Sequence, residues 1–357
     1  MTASGDKLVQ RLPRLWFQRR LAPALFLLLP FSWLFSALGA LRRFGYRIGL
    51  KSAQRLPVPV VVVGNLTVGG SGKTPLALWL VAQLRAAGRR PGIISRGYAR
   101  DGRAVLAVDA QADAAVVGDE PLLLARRSGV PVFVGRDRAA AGRALLAAHP
   151  DCDVLVSDDG LQHYRLARDV EIAVFDARGA GNCHLLPAGP LREPLARLGT
   201  VDAVVWNGAP TGMPACDALR SRGKQDRNFD MVLRAQQFLH LHDGGRRCSA
   251  ADLQGKRLCA IAGIGDPERF FKQLSALGLS FEKRAFPDHH AYVAEDLLCD
   301  FGTILLMTEK DAVKCAPLPV PTDAWVLPVA AEILPAPDGA TLFATILEKL
   351  NHGRASA

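Results

Sequence analysis

The chain has no CxxC pair, and its seven cysteines are an odd, scattered set. That pattern excludes a zinc ribbon or a disulfide framework and suits a reducing cytoplasm. Aromatic residues are only 7% of the chain and do not interleave with any long arginine tract, so a nucleic-acid footprint is missing as well. No internal repeat or low-complexity tract stands out. Acidic residues are the scarcer charge: 34 Asp and Glu against 44 Lys and Arg leave a formal net charge of +10. The basic excess is mostly arginine, which suits phosphate-bearing partners of any kind without choosing among nucleic acid, anionic lipid and a phosphorylated small molecule.

What is present argues for a folded protein of two lobes. With 357 residues, 49% of them hydrophobic, the chain can bury a full core, and single cores stop growing near ~250–300 residues. Leu21 to Leu41 carries no formal charge and is bracketed by Arg19-Arg20 and Arg42-Arg43. At ~1.5 Å per helical residue the run reaches the thickness of a bilayer's hydrocarbon core. Its possible roles are a spanning helix, a signal-peptide core, a helix lying in the membrane interface and a buried core helix. Pro23 and Pro30 count against a straight spanning helix, and arginine pairs at both ends give no positive-inside asymmetry. Trp16 and Trp33 suit a membrane surface better than a core.

From Val58 onward, short apolar runs alternate with helical stretches. Val60–Val63, Gly92–Ser95, Val132–Val134, Val154–Ser157 and Ile172–Phe175 read as buried strands, with helices at Pro75–Ala87 and Arg136–Ala148 between them. That alternation predicts an α/β fold: a P-loop NTPase-like parallel sheet flanked by helices, with a second, smaller α/β lobe and an N-terminal membrane-associated helix. The expected division is 1–50 for the helical segment, 51–200 for the core and 201–357 for the second lobe. Ala203–Trp206 reads as a further strand, and a β-hairpin linker near 229–249 is expected to turn at Asp243-Gly244-Gly245. Beyond it, Leu258–Ala262, Ile304–Met307 and Trp325–Val329 read as strands, with helices around Glu268–Leu277, Ala294–Cys299 and Gly339–Leu350. Residues from Arg354 to Ala357 are expected to fray.

The strongest chemical signal is Thr67-Val68-Gly69-Gly70-Ser71-Gly72-Lys73-Thr74, which follows a strand and opens a helix. Glycines there leave backbone N–H groups free to wrap a polyphosphate, and the helix N-terminus adds its positive end. Lys73 would meet the β- and γ-phosphates of ATP, and the Thr74 hydroxyl would ligate Mg2+. Thr67 stands where the strict pattern has its first glycine. Asp158 and Asp159 end the apolar run Val154-Leu155-Val156, the place where a P-loop sheet puts its second magnesium partner. A domain that needs nucleotide belongs with cytoplasmic ATP, so the signal-peptide reading is disfavoured.

Two acids are candidates for the acceptor's proton. Asp119 opens an apolar helix and reads either as a cap or as a catalytic base; Asp288 precedes His289 and His290, which have no third ligand spaced to make a metal site. Arg96 follows a strand, and Arg192-Glu193 sits in a proline-rich loop, positions from which either could meet phosphate. Thr308-Glu309-Lys310-Asp311 is close to a guanine-reading N/T-K-x-D, but its lysine falls one place late, so a GTPase is the weaker alternative.

Taken together, Gly64–Pro75, Ser95–Tyr98, Gly118–Pro121, Asp158–His163, Leu186–Pro194, Ala262–Gly265, Phe286–His290 and Thr308–Lys314 resemble the tetraacyldisaccharide 4'-kinases, or lipid A 4'-kinases, of Gram-negative bacteria. That family also carries threonine at the position of Thr67. Cys183 departs from it, since glycine is expected there. The resemblance implies transfer of the ATP γ-phosphoryl group to the 4'-hydroxyl of an acylated glucosamine disaccharide 1-phosphate, forming lipid IVA at the cytoplasmic face of the inner membrane. It further implies Asp119 as base paired with His289, Lys73 on phosphate, and Thr74 with Asp158 or Asp159 on magnesium. Arg192, with Glu193, Tyr98 and Arg96, would face the phosphate or the acceptor. The N-terminal helix would lie on the membrane surface.

Overall fold

The computed structural model describes residues 12, 14–18, 20–98, 100, 102–208, 227–320, 323–336 and 339–352. Arg19, Cys216 and the terminal residues 354–357 lie outside the described residues. In chain order the strands are β1 (Val60–Gly64), β2 (Pro91–Ser95), β3 (Leu106–Ala107), β4 (Val132–Val134), β5 (Val154–Asp158), β6 (Val170–Asp176), β7 (Ala203–Asn207) and β8 (Asn228–Ala235). They continue with β9 (Phe238–His240), β10 (Arg247–Cys248), β11 (Leu258–Ala262), β12 (Glu282–Ala285), β13 (Ile304–Thr308), β14 (Ala324–Leu327) and β15 (Val329–Ile333).

β1 shows why the larger sheet is parallel and covered on both faces. Its four valines alternate between two cores: Val61 and Val63 join the layer that holds the helix Lys73–Ala86, while Val60 and Val62 join the layer that holds the helix Arg138–Ala148. A strand buried on both faces has no place for a polar residue, hence the unbroken valine run. Each of these side chains contributes roughly 1.5–3 kcal/mol by leaving water. β1 pairs in parallel with β5 on one side and β6 on the other, within the order β15-β8-β7-β6-β1-β5-β2-β4-β3. The carboxyl ends of β1 and β5 therefore lie side by side, with Val63 opposite Asp158.

The smaller sheet runs β10-β9-β14-β13-β11-β12. The chain passes from the larger sheet to the smaller one after Ala235 and returns at Pro328, where the Gln236 amide donates to the Pro328 carbonyl at 2.9 Å. Two expectations change here. The segment Trp325–Val329 is not one strand, because Pro328 divides β14 from β15 and sends them to different sheets. The hairpin does turn at Asp243–Gly245, but its arms are Phe238–Leu239 and Arg247–Cys248; Met231–Ala235 belongs to β8 in the larger sheet. Beyond residue 200, strands β7, β8 and β15 all extend that larger sheet.

At the N-terminus, a 3-10 turn (Pro23–Leu28) leads into the helix Leu29–Arg47, and the two together, Pro23–Arg47, are long and apolar enough to cross a membrane. Its Phe31, Trp33, Leu34, Leu38, Leu41 and Phe44 are exposed.

Candidate active site

The phosphate loop begins where β1 ends. Gly72 holds φ +94° as the N-terminal cap of the helix Lys73–Ala86, and a Cβ there would stand 2.2 Å from Asn207 Nδ2. Only glycine fits both the left-handed backbone and the space. No side chain caps this helix, so its first N–H groups are left for an anion. Leu76, Leu80 and Leu84, one turn apart, seat the helix in the core, and Pro75 lies in the first turn, where its missing N–H costs little. Asn207 braces the loop from the end of β7 by donating to the Ser71 carbonyl at 3.0 Å. In turn it accepts from Arg269 of the second lobe at 2.5 Å. A cavity of about 190 Å³ opens between Gly70–Thr74 and the second lobe's Ile264–Asp266, Arg269 and Lys310. The lobes meet closely over it: a Cβ at Gly265 would lie 2.8 Å from the Gly70 nitrogen. One amide of the expected set is already engaged, since Val68 N donates to the Pro190 carbonyl at 2.9 Å.

Two acids stand beside Lys73 in different states. Asp158 is fully buried, and neither of its carboxylate oxygens has a hydrogen-bond partner. Burial, helped by nearby Glu120, pushes it up to about 7 despite Lys73 and Arg138. Asp159 is also pushed up by burial, but Lys73, Arg192 and Arg138 outweigh that and bring it down to about 2. Lys73 Nζ lies 3.6 Å from Asp159 Oδ1, and an Arg192 guanidinium nitrogen lies 3.2 Å from the same oxygen. An unpartnered buried carboxylate fits a cation, and Thr74 sits at the start of the adjacent helix. Among the described residues no group of three or more His, Cys, Asp or Glu could hold a metal. Magnesium takes one or two carboxylates and completes its shell with water and phosphate oxygens.

Asp119 opens the helix Asp119–Ser128 after Gly118, whose φ is +95°. His289, brought from the second lobe with φ +60°, places Nδ1 3.0 Å from Asp119 Oδ2, the imidazole N–H donating. The other Asp119 oxygen accepts from the Glu120 amide at 2.9 Å. Burial raises Asp119, but the hydrogen bond to His289 and the charges of Lys310, His289 and Lys314 carry it below the usual carboxylate range. Burial lowers His289, and its bond to Asp119 more than restores it, so the imidazole protonates more readily than usual. Tyr98 lies against the His289 ring at 4.8 Å between centroids, and both line a second cavity of about 280 Å³ with Asp119. Arg96 is exposed at the end of β2.

Lys310 joins the site although nothing in its local sequence marks it as a catalytic or binding residue. Its Nζ lies 3.0 Å from Glu120, 3.2 Å from Asp288, 3.4 Å from His289 Nε2 and 3.9 Å from Asp119. It therefore joins the two cavities and ties the second lobe to the first. An ion pair between Arg127 and Glu309 makes a neighbouring tie. The available signal was the segment Thr308–Asp311, in which the Thr308 hydroxyl caps a helix that begins at Glu309. Glu193 is buried; it accepts a hydrogen bond from the Tyr164 hydroxyl and lies 3.7 Å from Arg197. Cys183 has φ +63°, the left-handed backbone for which glycine is the natural residue.

The geometry can be set beside known proteins. A family model described as tetraacyldisaccharide-1-P 4'-kinase matches residues 24–351. The tetraacyldisaccharide 4'-kinase of Dechloromonas aromatica is 56% identical over 346 residues, covering 96% of this chain and 98% of its own. That of Azoarcus sp. is 55% identical over 345 residues, covering 97% of each. The crystal structure of LpxK from Aquifex aeolicus in complex with ATP superposes with a TM-score of 0.76 at 31% identity, covering 92% of this chain and 99% of that one.

Proposed function

The chain belongs to the tetraacyldisaccharide 4'-kinase family, which uses ATP to phosphorylate the 4'-hydroxyl of tetraacyldisaccharide 1-phosphate, and we propose that Asp119, His289 and Lys73 carry that transfer here. The product is lipid IVA, a step of lipid A biosynthesis. The observation that supports the residue roles best is the Asp119–His289 pair, assembled from two lobes and joined through Lys310 to the cavity of the phosphate loop.

The phosphate groups of ATP lie along residues 69–74, where the uncapped helix N-terminus and Lys73 meet the negative charge. The 4'-hydroxyl oxygen attacks the γ-phosphorus, the bond from that phosphorus to the β-phosphate bridging oxygen breaks, and the Asp119 carboxylate takes the hydroxyl proton. His289 holds Asp119 in the ionised, correctly turned form. Arg192, which pairs with Asp159, faces the transferring group; Tyr98, in the cavity with Asp119 and His289, and Arg96, exposed at the end of β2, meet the acceptor. Glu193, buried among Tyr164 and Arg197, holds the Arg192 loop instead of meeting ligand. Thr74, Asp158 and Asp159 would hold magnesium, which when bound offsets charge on the β- and γ-phosphates.

The apolar helix Leu29–Arg47 keeps the enzyme against the cytoplasmic face of the inner membrane, where an amphiphilic acceptor and cytoplasmic ATP are both within reach. The test is a transfer assay with purified protein, magnesium, γ-labelled ATP and the acylated disaccharide monophosphate. Asp119→Ala should lower kcat by ~10²–10⁴-fold while ATP affinity stays near wild type. Normal turnover by that variant would refute the assignment of the base.

A further inference from the structure

The helix Leu29–Arg47 buries only two of its 19 residues, Ser32 and Gly45. An element that serves only to hold lipid has no use for a buried hydroxyl. Ser32 Oγ donates to the Leu185 carbonyl at 2.9 Å and accepts from the Ala188 amide at 2.9 Å. Just ahead of the helix, Trp16 Nε1 donates to the Pro187 carbonyl at 2.9 Å, and the Trp16 carbonyl accepts from the Asn182 amide at 2.8 Å. Four hydrogen bonds thus stitch the N-terminal segment to the backbone of one loop, residues 182–188.

That loop continues directly into the active site. Val68 N of the phosphate loop donates to the Pro190 carbonyl, Thr67 bridges Leu191, and Arg192 N donates to the Leu66 carbonyl at 2.6 Å. The Arg192 side chain then reaches Asp159. From Ser32 to the phosphate loop the path is a single stretch of backbone, bonded at both ends.

We infer that this helix braces the active site through the loop 182–192 as well as meeting the membrane, and that Ser32 is a positioning residue for Arg192 and the base of the phosphate loop. The inference rests on the phosphate-facing role given to Arg192 above. Insertion of the helix into lipid and alignment of Arg192 are then one mechanical event, because a side chain that fixes the helix also fixes the loop.

The test uses the full chain with magnesium, ATP and acylated disaccharide monophosphate in mixed micelles. Ser32→Ala should lower kcat by about 10- to 100-fold, the cost of a misplacement on the order of 1 Å, with KM for ATP and co-sedimentation with phospholipid vesicles unchanged. Ser32→Thr, which keeps the hydroxyl, should recover most of the loss. Trp16→Phe leaves both Ser32 bonds intact and should show a smaller loss of the same kind, so a poorly folding Ser32→Ala does not close the question. Added to Arg192→Ala, Ser32→Ala should cost little more. A wild-type kcat in Ser32→Ala, or a loss that multiplies in full on Arg192→Ala, overturns the inference while the role of Arg192 stands. Wild-type turnover by Arg192→Ala alone overturns both.

Discussion

Replacing Lys310 with methionine removes one charge from a cluster in which Asp119, Glu120 and Asp288 all lie within 4 Å of its Nζ. Lys310 and Asp119 are both largely buried, so their attraction is only partly screened by water. At 3.9 Å, and with an effective dielectric near 20, the Coulomb attraction is about 4 kcal/mol. Glu120 and Asp288 share the same ammonium and relax when it is lost, so only part of that attraction is expected to appear as a rise in the Asp119 pKa. The sign follows from the wild-type state. Asp119 is held below the usual carboxylate range, first against the effect of burial and then by His289, Lys310 and Lys314. Its ionised form is therefore available, and stabilising, down to acid pH, and that contribution is lost only as pH falls through the depressed value.

In Lys310→Met the acid limb of kcat/KM against pH should move upward, toward neutrality. Lys310→Arg keeps the charge and should leave the limb near its wild-type position. Stability should fall too, since breaking one partner of a buried pair costs about 3–5 kcal/mol. A loss of stability alone would not move the limb. If the pH profiles of Lys310→Met and wild type superimpose after normalisation, the electrostatic argument for Lys310 is wrong.

Two other expectations concern the phosphate loop and its acids. Gly72→Ala places a methyl group 2.2 Å from Asn207 Nδ2 in a left-handed backbone that costs roughly 1–2 kcal/mol for an L-residue, so calorimetric ATP binding should vanish in a folded protein; retained binding would show that the loop does not wrap phosphate. Asp158→Asn removes a buried carboxylate that has no hydrogen-bond partner, so it should raise the thermal midpoint of the ligand-free protein while abolishing turnover and the extra stability given by Mg·ATP. An unchanged ligand-free midpoint would mean that Asp158 is paired in solution.

What could be read from the sequence divides along physical lines. The phosphate loop was legible because its chemistry lies in consecutive residues: the strand, the glycines, Lys73 and Thr74 are local, and the backbone angles at Gly69 and Gly72 follow from their lack of a Cβ. Strands β1, β2, β4, β5 and β6 were legible for a related reason, since burial on both faces leaves unbroken apolar runs. Pro328 was a legible break that went unused, and it is why one expected strand became two in different sheets.

Lys310 was hidden because its meaning is a sum of distances to Glu120, Asp288 and Asp119, which lie far from it along the chain. No window around Thr308–Asp311 contains those partners. Asn207 is similar: at the end of an ordinary apolar strand, it acquires a role only when the Ser71 carbonyl and Arg269 arrive from either side. Ser32 is the sharper case. Within an apolar run flanked by arginines, composition treats a serine as tolerable noise, yet it is one of only two positions that the helix buries. A hydroxyl that reaches the Leu28 carbonyl one turn back and, more closely, the backbone of a distant loop leaves no mark on periodicity, charge or spacing, so only its buried position separates it from Ser36, which lies one turn further along the same helix.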